Sequence, residues 1–150
     1  MTTATEFEDN VLHADPMLAY VVSIHLLIER YLIRWLRTVL PRPDRILEAY
    51  DLRFRGIVAL SEALGLIPDD LAVVLNKLNA LRNKYSHSLG YVIEETAIAD
   101  FFASVLAMRP PLVRPTAEPT AANLHMVLAA ICGHTKRLAD QHAAANAQAG

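Results

Sequence analysis

The sequence predicts an all-α bundle of four to five helices, and three observations point that way. Apolar residues recur at spacings of three and four along most of the 150-residue chain. Glycines and β-branched runs are few. Prolines fall where periodic segments begin or end, the places a helix tolerates them.

The first helix follows an Asp15-Pro16 start signal, with Asp as N-cap and Pro in the first helical position. It runs to about Val39, where Pro41 and Pro43 end it. Leu18, Val21, Ile24, Ile28, Tyr31, Trp35 and Leu36 fall near one face, with Glu29, Arg30, Arg34 and Arg37 displaced from it. A second helix, capped by Asp44, runs through about Leu64, and Gly65 suits the left-handed residue beyond its end. Pro68-Asp69-Asp70 opens a third, in which Leu71, Val74, Leu78, Leu81 and Tyr85 make a packing seam. Gly90 is its expected end. A fourth helix over about residues 94–108 carries Ile98, Phe101, Phe102, Val105 and Leu106. Pro110-Pro111 and Pro115 form a stiff extended link. A fifth helix from Glu118-Pro119 to about His142 carries Leu124, Val127, Leu128, Ile131 and Leu138. The expected organisation is a flexible segment over 1–14, one helical domain over 15–142, and a fraying tail over 143–150. Only residues 89–93 have any strand character.

Composition narrows the function classes. The hydrophobic fraction of 53% lies slightly above, and the charged fraction of 20% slightly below, the usual values of about 45–50% and about 25%. That balance leans toward burial of a further surface by self-association. A net charge of −2 lacks the global basic signature of an intimate duplex-DNA binder. A short single-stranded substrate needs only local positive charge. Arg30, Arg34, Arg37, Arg42 and Arg45 supply it against Glu29 and Asp44, although a solvated helix face has the same composition. Arg outnumbers Lys 11 to 3, which favours planar anion contacts because a guanidinium presents a rigid fork of donors. The lone Cys132 rules out an intramolecular disulfide framework and suits a reducing cytoplasm. Residues 1–10 carry three acids and no base, unlike a secretory leader. The longest uncharged run of the first helix, residues 17–28, is 12 residues long, short of the ~20 that span a bilayer.

The chemistry concentrates in Leu78-Asn79-Ala80-Leu81-Arg82-Asn83-Lys84-Tyr85-Ser86-His87. Arg82 can grip a phosphate in a bidentate way, and the unperturbed pKa of an imidazole such as His87, about 6.5, keeps both its forms accessible near neutrality. With Asn83 these residues supply what metal-free cleavage of an RNA phosphodiester requires. Cations at a helix C-terminus also complement its dipole and cap its carbonyls, the purely structural alternative. At 100° per residue, Arg82 and His87 stand about 140° apart and Asn83 and His87 about 40°. Either the helix loosens near its end, or two copies of it face one another and share one cluster. The second option also accounts for the composition.

This stretch resembles the signature helix of the HEPN superfamily (higher eukaryotes and prokaryotes nucleotide-binding domains), an Arg, a polar residue, a short spacer and a His. Arg82, Asn83 and His87 match it one by one. Upstream, Phe54-Arg55-Gly56-Ile57, Leu60, Ala63-Leu64-Gly65-Leu66-Ile67 and Leu71 look like the mannitol operon repressor-like branch, as do Asp15 and Leu27-Ile28-Glu29. The likeness covers about residues 15–90. It implies a helical bundle that forms a homodimer through the motif helix. Many members are metal-independent RNA endonucleases of toxin–antitoxin, anti-phage and RNA-processing systems; others are non-catalytic regulators or binding modules.

The implied chemistry is attack of a 2′-OH on the adjacent phosphorus of single-stranded RNA, leaving a 2′,3′-cyclic phosphate and a 5′-OH. His87 would act as general base or acid, Arg82 would stabilise the phosphorane, and Asn83 would orient His87 or hold a non-bridging oxygen. Lys84 would contact backbone phosphate, together with Arg30 and Arg34. Tyr85 would complete the seam or stack a base. No metal or cofactor is expected, and an antitoxin or regulatory protein is the expected further partner. Among other features, His25 and Glu29 share a helix face at i, i+4, but no second pair completes a metal site, and a helical polar pair is the simpler reading. His125 and His134 lie nine residues apart, pointing to opposite sides of a late helix.

Overall fold

A computed structural model describes residues 16–87, 95–114 and 118–149, and these form an all-helical fold with six helices. α1 spans Pro16–Val39 and stops where predicted; the Asp15 cap lies outside the described residues. Its predicted stripe is inside: Val21, Ile28, Leu32 and Leu36 are fully buried, and Ile24 and Trp35 nearly so. α1 packs against three other helices, which is why its apolar surface exceeds a single face.

The expected helix from Asp44 to Leu64 is instead two. α2 is one turn, Asp44–Leu47, and α3 is Phe54–Ala63. Between them Asp51 takes a positive φ of 46°, which Asp tolerates better than most residues, and Arg53 is extended. Arg37 ties α2 to α1 through Asp44 at 2.7 Å and Glu48 at 3.2 Å. Those two carboxylates raise the Arg37 pKa further above its ordinary value. The break turns the chain so that Phe54 begins α3 against α1.

α3 ends as predicted. Gly65 has φ 74°, its N–H donates to the Glu62 carbonyl, and the Leu66 N–H donates to the Ser61 carbonyl, both at 2.9 Å. This is the paired 5→2 and 6→1 arrangement of a Schellman turn. α4 spans Asp69–His87 and buries Leu71, Val74, Leu78 and Leu81, the predicted seam, with Ala72 and Leu75 beside it. The Tyr85 side chain lies outside the described residues, as do Gly90 and the segment 89–93.

α5, Glu95–Leu106, runs antiparallel to α4. Lys77 meets Asp100 at 2.8 Å, and farther back along α4 Asp70 accepts the Arg109 N–H at 3.0 Å. Ile98, Phe101, Phe102 and Val105 are its core residues. α6, Ala121–Ala149, starts just after Pro119, where Thr120 caps the Asn123 N–H. It lies parallel to α1: the Tyr20 ring is 3.6 Å from His125 at one end, and Arg34 meets Asp140 at 3.3 Å near the other. α6 continues past His142, where the expected helix ended. Residues 143–148 are exposed, yet their alanines have the highest helix propensity and need no core contact to extend a helix already formed. Among the described residues no helix is long and apolar enough to cross a membrane.

Gly65→Ala should lower the unfolding free energy by about 1 kcal/mol in urea titrations, because an added Cβ is strained at positive φ.

Candidate functional site

α1, the α2–α3 loop, the start of α3 and the second half of α4 enclose a cleft of about 370 Å³. Helical spacing sets its walls. His25 and Glu29 project from successive turns of α1, and Asn79, Arg82 and Asn83 from successive turns of α4. The loop contributes Asp51, Leu52 and Arg53, and α3 contributes Phe54 and Arg55.

The polar anchor of the cleft is His25. It is only 5% exposed, and its ring stacks on Phe54 with centroids 4.0 Å apart. Its Nε2 lies 2.9 Å from Asn79 Oδ1. The amide oxygen can only accept, so the imidazole carries a proton on Nε2 and donates it. Burial lowers the His25 pKa below its ordinary value; the Asn79 hydrogen bond opposes that shift, the Arg82 charge adds to it, and Glu29 opposes it again. The imidazole is accordingly held in its neutral form near pH 7.

Two of the three predicted catalytic residues line the cleft. Arg82 is half-buried and Asn83 exposed, with Arg82 Nη1 3.4 Å from Asn83 Oδ1. α4 remains helical through His87, so the backbone does not loosen there; the His87 side chain lies outside the described residues. The predicted substrate contacts sit elsewhere. Lys84 borders a small hollow of about 90 Å³ on the α5 side, with Lys77 and Asp100. Arg30 is exposed and does not line the cleft, and Arg34 is engaged by Asp140. The Arg-rich segment is thus partly neutralised by acids from α2, the following turn and α6.

A second hollow of about 390 Å³ adjoins the first along the outer face of α4 and shares Arg55, Asn79 and Asn83 with it. Val73, Asn76 and Ala80 continue it, all exposed. Among the described residues no group of three His, Cys, Asp or Glu side chains could hold a metal ion.

Arg53, Arg55 and Asn79 carry no role in the local sequence pattern, and His25 appears there only as a neighbour of Glu29. The His25–Asn79 bond spans 54 residues of sequence, and periodicity within either helix carries no trace of it. Compared with protein-family models, with curated proteins and with solved structures, the chain matches none.

The depressed His25 pKa fixes a pH dependence. As pH falls below about 6.5, the unfolded chain takes up a proton that the folded chain resists, so stability is lost until the lower folded pKa is passed. His134, also lowered mainly by burial, acts in the same direction. The urea midpoint should drop between pH 7.5 and 5.5, and His25→Phe should make that drop shallower; an unchanged pH profile in the variant would count against a buried neutral imidazole.

Proposed function

We propose that this chain is a HEPN-type, metal-independent endoribonuclease that works as a cytoplasmic homodimer on single-stranded RNA, as the toxin or effector of a defence or stress module. The observation that carries the reading is the shared placement of Arg82 and Asn83 in one concave site with the cations Arg53 and Arg55. A strand entering that cleft presents its phosphodiesters to three guanidiniums opposed by two carboxylates, Glu29 and Asp51. Arg82 stabilises the charge that builds on phosphorus, and Asn83 holds a non-bridging oxygen or orients His87. His87 takes the proton from the attacking 2′-OH, and an imidazole of the second copy returns one to the departing 5′-oxygen.

Support for the dimer comes from the outer face of α4. Val73, Asn76, Ala80 and Asn83 follow one another at spacings of three, four and three, and all four are exposed. One further step of four reaches His87. Two such stripes packed about a two-fold axis would bring both motif sets to one groove. Small and amide side chains let the helices approach closely.

RNA incubated with the purified protein in EDTA should be cut to fragments with cyclic phosphate ends. Arg82→Ala and His87→Ala should each slow cleavage at least 100-fold. RNA left intact by the wild type at micromolar concentration would overturn the nuclease reading and leave a non-catalytic HEPN-like regulator. Ala80→Arg should convert the dimer to monomer in sedimentation velocity and abolish cleavage with it.

A further inference from the structure

The geometry points to a second phosphate subsite inside each protomer, formed by Arg53, Arg55 and the Asn79 carboxamide, with His25 as the positioning residue that orients that carboxamide. Its ligand class, a phosphodiester of single-stranded RNA next to the one being cut, rests on the nuclease reading above.

Three observations carry it. Arg53 and Arg55 flank the first residue of α3, both are exposed, both line the cleft, and neither makes an ion pair among the described residues. Glu29 and Asp51 share the cleft but do not pair with them there, so the two guanidiniums keep their donors for a ligand. The Asn79 side chain is fixed by its oxygen: Oδ1 accepts from His25 Nε2 at 2.9 Å, and His25 is clamped in turn by the Phe54 ring at 4.0 Å. Its Nδ2 donors have no partner among the described residues, although Asn79 lines both adjoining hollows. An amide held through its oxygen with its N–H donors unused offers those donors to phosphate oxygens.

Arg82 lies one turn along α4 from Asn79, and successive phosphates of a strand would meet first one and then the other. The subsite therefore extends the grip on RNA away from the motif, within one protomer. Phosphate contacts position a strand without reading its sequence.

The test uses a fluorescein-labelled single-stranded DNA 12-mer, which lacks the attacking 2′-OH, with binding read by anisotropy in EDTA across a salt series. Asn79→Asp keeps an acceptor for His25 and replaces the donors with a carboxylate, and it should weaken binding at least tenfold. Arg53→Gln with Arg55→Gln changes two exposed side chains on the cleft rim, and a wild-type urea midpoint should confirm that the fold is kept. This double variant should weaken binding at least tenfold and flatten the slope of log affinity against log salt by about 1.4, two single-strand phosphate contacts. His25→Phe preserves the ring stack but should cost several-fold in affinity, and His25→Gln, with an amide N–H in place of Nε2–H, should restore it. Wild-type affinity and slope in both Asn79→Asp and the double Arg variant would overturn the subsite, even if RNA is cleaved. Loss of binding in those variants with RNA left intact would keep the subsite and remove the nuclease.

Discussion

Burial of the α1 stripe is the constraint on which the remaining structure depends. Val21, Ile24, Ile28, Leu32, Trp35 and Leu36 run the length of a helix about 36 Å long, and none is more than 6% exposed. Covering them takes α3, α4 and α6. The apolar burial of each large side chain is worth roughly 1.5–3 kcal/mol, so these contacts outweigh any surface ion pair in fixing helix positions. The parallel alignment of α1 with α6 and the return of α5 along α4 follow as ways to close that core.

His25 is the polar exception in the stripe. A buried imidazole without a partner would cost the desolvation of its N–H, and Asn79 removes that cost with one hydrogen bond. The bond also fixes the register of α1 against α4, because only one rotation of each helix brings the two side chains together. Arg82 and Asn83, one turn on from Asn79, then face the same cleft. Structural satisfaction of one buried ring and placement of the motif residues are therefore a single arrangement.

The chain break before α3 completes that cleft. A continuous helix from Asp44 to Leu64 would carry Arg53 and Arg55 on separate sides, about 160° apart. The left-handed Asp51 and extended Arg53 turn the chain so that both arginines reach the cleft rim with Phe54 between them against His25. Of the five arginines clustered in the sequence, two are committed: Arg34 to Asp140, and Arg37 to Asp44 and Glu48. Placement by the turn before α3, more than ion pairing, decided which arginines line the cleft.

The legible features are those encoded locally. The prolines after Val39 end α1, because proline fixes φ and lacks a donor; Gly65 ends α3, because its missing Cβ permits positive φ; and the spacing of Leu71, Val74, Leu78 and Leu81 identifies the buried face of α4. That Arg82 and Asn83 share one turn of a helix is equally local. The division of the second helix, the length of α6, the parallel pairing of α1 with α6 and the recruitment of His25, Asn79, Arg53 and Arg55 to one cleft came from tertiary structure alone. Helix-forming residues repeat every three or four positions and write their pattern in adjacent sequence. Contacts between side chains 54 residues apart depend on the relative rotation of two packed helices, which no local pattern records.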